Sequence, residues 1–67
     1  MRLIDSEDEL AVTVTLDELR LLASAIGEAL EAVDEWEFPT RLGFESSDAR
    51  ALRSEINEVL ARVAGAQ

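Results

Sequence analysis

Apolar residues recur at intervals of three and four in two separate stretches: Leu16, Leu19, Leu22, Ala23, Ile26, Leu30 and Val33, then Ala49, Leu52, Ile56, Val59, Leu60 and Val63. That period draws a stripe along one side of a helix, and such a stripe has to be buried against another element. The chain has few means of burying it. With no Cys and no His among its 67 residues it can form neither a disulfide nor an ordinary zinc site. A domain of this size covers only about 60% of the surface its unfolded chain exposes. The stripes must therefore pack on each other or on the segment before them, and association with another chain is the remaining supplement to a thin core. One domain is expected over residues 1–67.

Local signals set the helix ends. Thr15 followed by Glu18 is a capping box, in which each side chain satisfies a backbone N–H that the helix leaves unpaired. Asp17 and Glu18 also suit the positive end of the helix dipole. The first helix is predicted from Leu16 to near Val33, with Gly27 at the edge of its stripe, where either a close approach by another backbone or simple tolerance accounts for it. Ser46 or Ser47 caps a second helix running to about Val63, with Asp48 in its first turn, Glu58 and Arg62 spaced as an i,i+4 pair, and Gly65 beyond its end.

The rest of the chain reads as extended. Met1–Ile4 and Glu9–Thr15 flank the polar cluster Asp5-Ser6-Glu7-Asp8, and the β-branched Val12-Thr13-Val14-Thr15 favours a strand, so an N-terminal β-hairpin is expected. Between the helices, Trp36, Phe38, Thr40, Leu42 and Phe44 alternate with polar residues, Pro and Gly, which puts the three aromatics on one side of an extended connector. Pro39 confines that segment to an edge strand or a connector. Phe38 and Phe44 are assigned to the core, whereas Trp36 fits a core edge and a contact residue equally. Gly43 suits a positive φ or a close contact, and Arg41 is spaced to clamp Glu37 or Asp48. The fold class expected is α+β: a hairpin and two amphipathic helices joined by an extended connector or short edge strand.

Charge narrows the function. Residues 1–37 carry eleven acids against two Arg, and residues 38–67 carry four of each, so the first 37 residues hold the whole net charge of −9. Nucleic acid and anionic membrane surfaces repel such a chain. No run approaches the ~20 apolar residues of a membrane span, and nothing resembles a signal peptide, so the cytoplasm is the expected compartment. General acid–base and nucleophilic catalysis lack His, Lys, Tyr and Cys, which leaves only carboxylates and predicts no enzyme, no cofactor and no catalytic residue. A calcium loop begun at Asp5 needs Gly at position 10 and an acid at position 16, and both are Leu, so no metal site is predicted.

Of the eleven acids, Asp17 and Glu18 serve the first helix, and Asp5, Glu7, Asp8 and Glu9 fit a charged hairpin turn. The remaining five, Glu28, Glu31, Asp34, Glu35 and Glu37, surround Trp36 and form the candidate contact for a basic protein, with Leu21 as an apolar outlier on the first helix. Leu21, Ala25 and Ala32 lie off the main stripe and mark a second apolar line suited to an interface.

The stretch Leu22–Leu30, followed by Glu37-Phe38-Pro39-Thr40-Arg41-Leu42-Gly43-Phe44 and Ala49-Arg50-Ala51-Leu52, resembles a pattern in short acidic proteins of high-GC bacteria. The resemblance covers about residues 10–60. Some proteins of that appearance are immunity proteins or antitoxins, so it implies a non-enzymatic module that neutralises a basic toxin or enzyme. The alternatives are a homodimer or larger homo-oligomer whose acids serve solubility, and a nucleic-acid mimic.

Overall fold

The computed structural model describes residues 2–4 and 9–66. Two strands, β1 (Arg2–Ile4) and β2 (Ala11–Thr13), precede α1 (Leu16–Ala32), a 3₁₀ turn (Glu35–Glu37), the short helix α2 (Phe38–Leu42) and α3 (Ser46–Ala66). The chain is mainly helical, and this overturns the α+β class expected from its sequence. The strands pair antiparallel, with Arg2 opposite Thr13, Leu3 opposite Val12 and Ile4 opposite Ala11. Each is only three residues long, and all of β2 is exposed, so the pair is a short ribbon beside a helical chain. Of the β-branched run only Val14, past the end of β2, is half-buried. The turn expected over Asp5–Asp8 lies outside the described residues.

α1 starts where its sequence directs. The Glu18 N–H donates to Thr15 Oγ1 at 3.1 Å and the Thr15 N–H donates to Glu18 Oε1 at 2.8 Å, closing the capping box. α3 starts one residue earlier than expected. Ser46 is already helical, and the Glu45 N–H donates to Asp48 Oδ2 at 3.2 Å, so the first-turn carboxylate does the capping rather than a serine. α3 also runs through Gly65 instead of stopping before it. Among the described residues Glu58 and Arg62 form no ion pair.

The segment read as an edge strand is helical. Pro39 stands in the first turn of α2, where a missing N–H costs nothing and a fixed φ is pre-set for the helix. One turn on, Arg41 Nε donates to Glu37 Oε2 at 3.2 Å, an i,i+4 link that an extended chain could not make. Gly43 ends α2 with φ 80° and ψ 2°, its N–H donating to the Pro39 carbonyl at 2.8 Å. Helical geometry scatters the aromatics that alternation would have aligned. Phe38 is 2% exposed, Phe44 67% and Trp36 77%, so Phe44 is not the core residue its spacing suggested.

α1 and α3 pack side by side as an antiparallel pair, with Leu30 near Arg50 and Arg53, Gly27 near Arg53, and Ala23 near Asn57 and Leu60. A Cβ on Gly27 would lie 3.1 Å from Arg53 Cζ and Nη2, so the close approach there is by a side chain and not by backbone. Only Ala23, Phe38 and Ser46 are buried among the described residues. The molecule is flat, measuring 38 × 31 × 16 Å.

The two glycines should respond oppositely to alanine. Gly27→Ala gains about 1 kcal/mol of helix propensity while the exposed Arg53 swings aside, and Gly43→Ala loses about 1 kcal/mol because its left-handed φ strains an L side chain. Urea denaturation followed by circular dichroism reads both signs. Phe38→Ala should cost about 3–5 kcal/mol, enough to leave the chain largely unfolded.

Candidate functional site

Two surfaces carry the features that bear on function. The first is an apolar groove of about 470 Å³ formed by Ala25, Ile26 and Ala29 of α1, Phe38 and Leu42 of α2, Phe44, and Asp48, Ala49 and Leu52 of α3. It exists because two parallel-sided helices bury only the seam between them. α2 crosses one end of that seam and inserts Phe38 as its floor. Leu42, Phe44 and Leu52, each at least 44% exposed, are left on the walls with apolar surface facing water. The stripe positions Leu22 and Val59, spaced at i−4 from Ile26 and i+7 from Leu52, are also exposed rather than core. Asp48 is the one ionisable residue of the lining, and its carboxylate is engaged at the start of α3.

The second surface is the acidic edge. Glu28 and Glu31 are exposed on α1, and Asp34 is exposed just past its end. Among the described residues none of the three has an ion-pair partner. Glu31 lies in the last turn of α1, where there is no basic residue and where the helix dipole is negative. Leu21, 70% exposed, precedes Glu28 by seven residues and so shares its side of α1. Trp36 protrudes from the 3₁₀ turn with most of its ring in water. Leu21, Glu28 and Glu31 thus run along one helix and Asp34 with Trp36 stands at its end.

Glu35 and Glu37, expected in the same contact, have internal work. Ser46 Oγ donates to Glu35 Oε1 at 3.2 Å, Arg50 Nη1 donates to Ser46 Oγ at 3.5 Å, and Arg50 Nη1 lies 3.9 Å from Glu35 Oε1. Ser46 is buried, so this small network ties the 3₁₀ turn to the first turn of α3. Glu37 is held by Arg41. Neither the network nor the groove was visible in the sequence: the one needs Glu35 brought to Ser46, eleven positions on and beyond α2, the other needs α2 to be helical.

Among the described residues no three or more Asp and Glu converge as a metal site, and no helix is long and apolar enough to cross a membrane. No family model, curated protein or solved structure matches the chain.

Acids at the negative end of α1 oppose its dipole, so neutralising them should stabilise the fold. Glu31→Gln and Asp34→Asn should each raise the unfolding free energy by a few tenths of a kcal/mol, the low end of about 0.3–1 for such charges, with the gain shrinking as salt is added. Ser46→Ala should lower it by about 1 kcal/mol through loss of its two hydrogen bonds.

Proposed function

We propose that the protein is a non-enzymatic protein-binding module whose acidic edge meets a basic protein, a toxin or enzyme that it neutralises in the manner of an immunity protein or antitoxin. The reading rests on one observation: unpaired Glu31 and Asp34 sit at the negative end of α1, beside a Trp36 that is 77% exposed. Both features are unfavourable in the isolated chain. A charge repelled by its own helix dipole and an indole left in water are each compensated when a cationic, partly apolar surface covers them. Glu28 extends the edge along α1, and Leu21 supplies an apolar contact on the same side. Charge would govern the rate of encounter and the buried Trp36 the lifetime of the complex.

The cytoplasm is the proposed compartment, and no cofactor is needed.

Recovery of the wild-type chain from its native cell, alongside a Glu28→Gln/Glu31→Gln/Asp34→Asn variant and a Trp36→Ala variant, tests the proposal. A basic protein should accompany the wild type at low salt. The triple variant should associate more slowly and with a flatter salt dependence, and Trp36→Ala should release the partner faster. A partner whose association is indifferent to all four positions would refute this assignment of the surface.

A further inference from the structure

We infer that the apolar groove is filled by a second copy of this chain, two single-layer molecules closing face to face into a two-layer helical dimer. A domain buries its apolar faces in a packed core, and here the molecule is flat and only Ala23, Phe38 and Ser46 are buried among the described residues, so one face of the helix pair is left uncovered. The dimensions agree. The chain exposes 5458 Å², roughly 1,200 Å² more than a compact monomer of its mass would. The exposed β2 and the groove face share that surplus, which is of the size one subunit contributes to an obligate homodimer, whose interfaces bury about 2,000 Å² or more in total. The radius of gyration, 13.6 Å, likewise exceeds the ~11 Å of a compact chain of this length.

The character of the face selects a copy over a foreign partner. Its walls are Leu42, Phe44 and Leu52 around the floor residue Phe38, so it is apolar enough to be self-complementary under a two-fold axis. None of the unpaired acids lines it: Glu28, Glu31 and Asp34 lie elsewhere, so two chains of net charge −9 can meet there without opposing their free carboxylates. Glu31, Asp34 and Trp36 are not among the residues lining the groove, so this inference does not rest on the basic partner proposed above. Pairing two antiparallel helix pairs yields the layer arrangement of a four-helix bundle. Long-range repulsion between two acidic chains gives the dimer a recognisable sign: added salt strengthens it, whereas salt weakens capture of a basic protein.

Sedimentation equilibrium and thermal melts over a range of chain concentrations test the inference. The wild type should show twice its 7.4 kDa chain mass and a Tm that rises with concentration and with salt. Leu52→Asp and Phe44→Asp should abolish the doubled mass, while Leu10→Glu, a change at a still more exposed apolar residue outside the groove, should keep it. Because the Asp variants lose fold and dimer together if the two are coupled, thiol labelling supplies a second readout in a chain without cysteine. Labelling of Leu52→Cys should slow as chain concentration increases, and labelling of Leu10→Cys should not. A 7.4 kDa species with a concentration-independent Tm overturns the inference and leaves the groove to a foreign segment. A dimer that survives both Asp variants, or one that leaves Leu52→Cys unprotected, overturns it equally by placing the interface elsewhere.

Discussion

Phe38 occupies the point at which α2 closes one end of the seam between α1 and α3, and the arrangement of the remaining chain follows from its burial. A helix pair of this length has a single line of contact. Without a plug at one end its helices would be held by little more than Ala23 and the flanking half-buried Leu and Ile residues. The short helix that delivers Phe38 is itself marginal, at five residues, and is held at both ends by local chemistry: Pro39 and the Glu37–Arg41 link at its start, Gly43 in the left-handed conformation at its finish. The Glu35–Ser46–Arg50 network then fixes that turn against α3. Burial of one ring thus depends on several local devices, each modest in energy.

The same geometry leaves a debt on the open face. Everything Phe38 does to seal the floor of the groove places Leu42, Phe44 and Leu52 on its walls with nothing above them. Sixty-seven residues arranged as one layer cannot cover both sides of that layer. The acids show the complementary logic. Where they help the fold they are consumed by it, as at Glu18, Glu35, Glu37 and Asp48; where they oppose it, as at Glu31 and Asp34, they remain available. Neighbouring carboxylates a few residues apart thus differ in whether the fold engages them, and the dividing factor is whether a partner group lies within reach.

The α+β expectation failed for a specific reason. Val12-Thr13-Val14 carries a strand preference that is expressed, but three paired residues with no covering element amount to a ribbon. The alternation from Trp36 to Phe44 had two interpretations. Period two over nine residues puts Phe38 and Leu42 on the same side of a strand, and i,i+4 puts them on the same side of a helix as well. Pro39, taken as a bar to a central strand, is a favourable first-turn residue once the helix is considered. Short apolar runs do not distinguish the two periods, and only neighbours supplied by α1 and α3 resolve them.

The sequence by itself determined the start of α1, because the energy of the Thr15–Glu18 box is settled within one turn. Arg41 and Gly43 were legible only as alternatives, a clamp on Glu37 or on Asp48 and a positive φ or a close contact, and the structure has the first of each. The confinement of net charge to the first 37 residues was equally plain. Tertiary structure alone decided that Glu35 is engaged, that Phe38 is buried while Phe44 is not, and that two stripes read as a core leave one face open. Those outcomes depend on which surfaces of α1, α2 and α3 meet. A stripe states that a helix has an apolar side, and it does not state how much of that side its neighbours can reach.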